Sequence, residues 1–94
     1  MTDSIGAGGG GPTYTNIASG ETQLTNGTAK VDTGVSETDA TFFTALGIDD
    51  ADADVKVSAR LMWDDSAGTY KLELAEDTTT VGNPTVNYDI IRVR

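Results

Sequence analysis

From Val55 to Leu74 the chain alternates apolar and polar side chains with a period of two, broken once by the turn-forming run Asp64-Asp65-Ser66-Ala67-Gly68. Val55, Val57, Ala59, Leu61 and Trp63 fall on one side, and Lys56, Ser58, Arg60 and Asp64 on the other, with Met62 alone breaking the polar face. After the turn, Tyr70, Leu72 and Leu74 resume the apolar side against Lys71, Glu73 and Glu76. A repeat of two belongs to strands, whereas a helix repeats every 3.6 residues or so. The segment is therefore expected to form a long hairpin with one wet face. On that face Arg60 and Lys71 are placed to pair with Glu73 or Asp residues across strands.

The same grammar runs through the rest of the chain. Fifteen Thr, together with Val, Ile and Tyr, suit the half-buried surface of a sheet. Asn26-Gly27 signals a type I′ turn, whose two central residues need positive φ, and so a hairpin between Leu24 and Ala29. Asn26-Gly27-Thr28 also fits the glycosylation acceptor pattern, but no secretory signal accompanies it and the turn reading is preferred. Ala29, Val31, Thr33 and Val35 alternate with Lys30, Asp32 and Gly34 as in a strand with one wet face. Between Thr38 and Ile48 a helical reading competes with a strand. The β-branched and aromatic content favours a strand, buried on both faces and ending at Gly47. Residues 81–84 read as a turn. In the last strand, Thr85 to Arg94, Val86, Tyr88 and Ile90 share one face, while Ile91 and Val93 share the other. A bulge that re-aims the strand, or cover on both faces, accounts for this pattern, and it suits the middle of a sheet or a subunit interface.

Residues 1–13 are expected to be a flexible, glycine-rich arm: Gly8 to Gly11 is uninterrupted glycine and Pro12 stops regular structure. Residues 14–94 then form a single all-β domain, a small antiparallel β-sandwich or jelly-roll-like barrel of six to eight strands. A chain of 94 residues buries only about 60 to 65% of its unfolded surface, so its intrinsic stability is marginal. Small domains usually add disulfides, metals or partner subunits. With no Cys and no His, disulfides and Cys/His zinc sites are excluded, and oligomerisation is the expected remedy.

Composition also limits the chemistry. Without His there is no easy proton shuttle near neutral pH, and without Cys no thiolate nucleophile. Ser4, Ser19, Ser36, Ser58 and Ser66 sit in no Ser-x-x-Lys or Gly-x-Ser-x-Gly setting. Eleven Asp and four Glu against three Lys and three Arg give a formal charge of -9. That balance opposes nucleic acid. No apolar run is long enough for a membrane span or a signal segment, so a soluble protein made in a cytoplasm is expected. Repulsion at this density weakens the compact state in dilute buffer, and salt relieves it as screening shortens to roughly 3 Å at 1 M. Asp-rich, Lys-poor surfaces of this kind resemble those of proteins from extreme halophiles.

Two clusters invite a binding role. Asp50, Asp52 and Asp54 repeat at the spacing with which loops wrap a hard cation. The position where an EF-hand needs Gly is Val55, and the position of its bidentate Glu is Leu61, so that motif fails. A weak structural cation remains the only cofactor expectation, beside a solvated acidic loop. Trp63 with Asp64, Asp65 and Tyr70 suggests glycan contact, since aromatic faces stack on sugars and carboxylates accept their hydroxyls. The competing reading makes Trp63 the core anchor of the hairpin, in phase with Leu61 and Val57, and the Asp pair the cap of its turn. A domain this small offers little room for a glycosidase cleft.

Three stretches, GTAKVDTGVSETDATFFTALGI, DADVKVSARLMWDDSAGTYKLELAED and VGNPTVNYDIIRVR, together resemble small β-rich virion proteins of tailed viruses that infect haloarchaea. The similarity runs from Gly27 to Arg94. Its most specific parts are Val57 to Leu61 leading into Trp63 to Gly68, and the ending Val86 to Arg94. The resemblance implies a structural, non-enzymatic role in the virion, assembled in the host cytoplasm: a capsid decoration or turret subunit, or a tail or fibre component. It implies a homo-oligomer, trimer or pentamer, in contact with proteins such as the major capsid protein, without nucleic acid or membrane. Phe42, Phe43, Met62, Ile91 and Val93 are the expected subunit contacts, being apolar where alternation gives them no clear place in a one-sided core. For Phe42 and Phe43 an ordinary core role competes.

Overall fold

In the computed structural model the described residues are 11–49, 55–77 and 82–94, and all of their regular structure is strand. Six strands follow in order: β1 (Tyr14–Gln23), β2 (Thr28–Asp32), β3 (Thr41–Asp49), β4 (Val57–Asp64), β5 (Thr69–Glu76) and β6 (Thr85–Val93). They form two three-stranded sheets, ordered β1-β6-β3 and β2-β5-β4, with every pairing antiparallel. The two sheets pack as a small β-sandwich. The expected arm of residues 1–13 and the acidic candidates Asp50, Asp52 and Asp54 lie wholly or mostly outside the described residues.

The β4–β5 hairpin has the register that its alternation predicts, save at Glu76, which lies opposite Val57 and so on the apolar side, apart from Lys71 and Glu73. Leu61 lies opposite Leu72, Ala59 opposite Leu74 and Trp63 opposite Tyr70. Asp64 caps the turn by accepting from the N–H groups of Ser66 (2.9 Å) and Ala67 (3.3 Å), and Gly68 takes the positive φ of 70° that closes it. On the wet face Arg60 sits across from Glu73 and donates to it at 2.7 Å, while Lys71 reaches Asp32 of β2 at 3.1 Å.

The core lies between the sheets. Leu72 and Leu74 of the second sheet meet Val86, Tyr88 and Ile90 of the first, with Leu24 from the crossover; Leu72, Val86 and Ile90 are fully buried. Ile17, Ala18, Ala29, Val31, Phe42, Leu46, Val57 and Leu61 pack around them. Gly20 lies directly opposite Tyr88, and its missing side chain is what lets the tyrosine ring cross β1.

Three local expectations need correction. Asn26 (φ 53°) and Gly27 (φ 80°) do form the tight turn, closed by Thr25 and Thr28 bonding each other's backbone, but no hairpin follows from it. β1 and β2 belong to different sheets, because Leu24 N–H bonds Pro84 O (3.1 Å) and the turn docks on Glu76 and Asn83 instead. β6 does not change phase. It alternates throughout, with Arg92 on the inner side donating to Glu37 at 2.9 Å, so Ile91 and Val93 lie on the outer face; the bulge is in β1, at Ile17. β3 is not buried on both faces: Thr41, Phe43, Ala45 and Gly47 are exposed on its outer side, Phe43 by 47%.

Candidate functional site

The large apolar side chains that the core leaves exposed lie mostly on β3 and β4, some at the seam between the sheets and some on the two outer faces. Among the described residues the large apolar side chains left exposed are Tyr14, Phe43, Ile48, Met62 and Trp63; four of these five are on β3 and β4. β3 and β4 are edges of their respective sheets and approach each other along one flank of the sandwich. By register Ile48 pairs with Val86 and Trp63 with Tyr70, so both point inward. They stay 37% and 38% exposed, and among the described residues no further strand closes that flank. Met62 and Phe43 flank the seam on the two outer faces.

The expected contact residues do not form a single cluster. Phe43, Ile91 and Val93 come together on the outer face of the first sheet: Phe43 is opposite Ile91, and Val93 is opposite both Thr41 and Tyr14. Tyr14 joins them, its ring edge-on to Phe43 with centroids 6.4 Å apart. Met62 lies on the outer face of the other sheet. Phe42 faces inward and packs edge-on against Tyr70 at 5.5 Å, which is the core role. Sequence reasoning missed Tyr14 and Ile48. Tyr14 became relevant only once β1 was seen to flank β6, and Ile48 only once β3 proved to be an edge.

The hairpin tip brings Trp63, Asp64, Asp65 and Tyr70 together. Trp63 stands edge-on to Tyr70 at 5.1 Å, and its indole N–H donates to Asp65 Oδ1 at 2.8 Å. Trp63 is therefore only a partial core anchor: it completes a three-ring chain with Tyr70 and Phe42 and leaves part of its surface open. Asp64 is the turn cap expected of it, and also lies 3.8 Å from Lys71.

The remaining polar groups are largely satisfied among themselves. Asp32 accepts from the Gly34 N–H, the Thr69 hydroxyl and Lys71, and these hold its carboxyl down at about 2. Arg60 first, then Lys30, hold Glu73 below the usual carboxylate range. On the outer face of the first sheet, Ser19 (2.6 Å) and Asn16 (2.9 Å) donate to Asp89 and lower it in the same way. A carboxylate stabilised in its charged form is a weak base, so the Ser19–Asp89 pair is poorly suited to activating the hydroxyl. An open concavity of about 910 Å³ crosses the second sheet past Lys30, Ser58, Arg60 and Glu73, where the cations are already committed to Glu73. Among the described residues no group of three or more acids could hold a metal ion.

Comparison with protein families, with curated proteins and with solved structures finds no match to this chain. By fold and surface it is a small acidic β-sandwich with one apolar flank.

Proposed function

We propose that the chain is a non-enzymatic structural subunit of a virus particle, a capsid decoration or turret subunit or a tail or fibre component, that works as an oligomer in high salt. The observation carrying this reading is the collection of Phe43, Ile48, Met62 and Trp63 along the β3–β4 flank. Aromatic residues and Met are the types enriched where proteins meet. The net charge of -9 keeps the subunit soluble, while β3 carries no charge from Thr41 to Ile48. Partners are further copies of the chain and other particle proteins such as the major capsid protein. The similarity of Gly27 to Arg94 to haloarchaeal virion proteins supplies the particle.

Adhesion to glycans through Trp63 is the weaker reading. Its nearest carboxylates are already engaged, Asp65 by the indole N–H and Asp64 by its own turn. Blue Trp63 fluorescence that glycans leave unchanged would remove it.

The test is the mass of the chain in molar NaCl by light scattering, with immunogold labelling of particles from an infected haloarchaeal culture. The expected results are a multiple of 9.8 kDa and label on the particle. A monomer at every concentration, with unlabelled particles, overturns the proposal.

A further inference from the structure

Edge strands present a row of unpaired N–H and C=O groups, and proteins blunt them with charge, proline, bulges or brevity. Three of the four edges in this sandwich carry such devices. β1 has the bulge at Ile17 and a carboxylate at Glu21, β2 is five residues long with Lys30 and Asp32, and β4 carries Arg60 and Asp64. β3 has no proline and no bulge, and its one charge is its last residue, Asp49. It is nine residues long, pairs with β6 in unbroken register, and has neither charge nor proline from Thr41 to Ile48. In a chain of net charge -9 that is a long uncharged edge, and it borders the apolar flank already described.

We propose that β3 pairs antiparallel with β3 of a second copy, joining two three-stranded sheets into one of six strands. This rests on the structural-subunit reading and names its contact. Charge selects the occupant and the direction. Each copy offers the other eight uncharged residues, whereas pairing β3 with β1, β2 or β4 sets it against a charged strand. Parallel pairing would place the two Asp49 carboxylates side by side. Antiparallel pairing centred on Ala45 separates them by roughly 27 Å, eight residues at about 3.4 Å each, well beyond the screening length of about 10 Å at 0.1 M salt. In that register Phe43 lies over the partner's Gly47, where nothing but Asn87 Cβ, at 3.9 Å, approaches the missing side chain. The two-fold contact yields a dimer, or a multiple of dimers, in place of the trimer or pentamer implied by the resemblance.

The test places two lysines on the exposed outer side of the strand, Ala45→Lys with Gly47→Lys, and compares them with the same charge change on β1, Glu21→Gln with Gln23→Lys. Masses are read by light scattering in molar NaCl. The expected outcome is that the wild type and the β1 variant share an even multiple of 9.8 kDa and the β3 variant has half that mass. A β3 variant that keeps the wild-type mass overturns the edge pairing and leaves the structural-subunit reading standing. A monomeric wild type overturns the edge pairing, and together with unlabelled particles it overturns the structural-subunit reading as well. If the lysine variant does not fold, a spin label on Ala45→Cys, unique because the chain has no cysteine, decides: β3 pairing puts two labels within about 20 Å, some four strand spacings. Labels farther apart, or no coupling, overturn it.

Discussion

Gly20→Ala tests the packing argument at its tightest point. A Cβ at Gly20 would fall 2.7 Å from Tyr88 Cζ, 3.0 Å from Cε2, and closer still to the hydroxyl. The obstacle is a ring 8% exposed on the central strand, directly opposite in register, so it yields only by disturbing the core. Overpacking of this kind costs about 1–3 kcal/mol. Replacing a strand glycine by alanine returns roughly 0.5–1 kcal/mol in backbone entropy, which at the middle of both ranges leaves a net loss of about 1.25 kcal/mol. In a domain of this size each kcal/mol moves Tm by about 4–8 °C, so a fall of roughly 5–10 °C is expected. Circular dichroism melts in molar NaCl read it. The double variant Gly20→Ala, Tyr88→Leu supplies the specificity: removing the ring should recover stability relative to the sum of the single losses by at least about 0.5 kcal/mol. An unchanged or raised melting temperature for Gly20→Ala, or strict additivity in the double variant, refutes the close packing of Tyr88 over β1.

Acid should destabilise the fold in a defined window. Asp32 is lowered from 3.8 to about 2, and Glu73 and Asp89 are also lowered, so their contribution is present above the unfolded values and is lost as pH falls from about 4 to 2. Asp32→Asn should flatten that part of the stability profile, as followed by urea titration at stepped pH. Transfer from molar salt to about 0.1 M NaCl should lower Tm; the exposed ion pairs strengthen, but each is worth at most about 1 kcal/mol, and the net charge repels itself over about 10 Å. An unchanged transition removes the halophilic reading. Leu72→Ala, at a fully buried site, should cost about 2–5 kcal/mol, measured by denaturant unfolding in molar salt.

Local chemistry was legible in the chain wherever neighbours in sequence are also neighbours in space. The β4–β5 hairpin, its Asp64 cap and the Arg60–Glu73 pair follow from alternation and a turn of five residues. Ile91 and Val93, on the face opposite Val86, Tyr88 and Ile90, left the last strand either central or at an interface, and the structure makes it the central strand of its sheet. Partner choice was not legible. Asn26-Gly27 sets two φ angles but cannot say that Leu24 will bond Pro84, 60 residues on, and take the chain into another sheet. The exposure of Trp63 and Ile48 turned on the same unknown. Both face inward as their alternation or pairing demands, and both are open because their strands are edges. The left-handed Asn83 (φ 49°) that receives the Asn26-Gly27 turn carries no pattern of its own.

Hydrogen exchange in molar NaCl tests the account most directly, because it reads the backbone of the flank in the unmodified chain. With rising protein concentration, those amides of residues 41–49 that do not bond β6 should slow markedly, while those of β1 and β2 hold their rates. Exchange in β3 that is fast and independent of concentration would contradict the claim that this apolar flank is covered by another subunit.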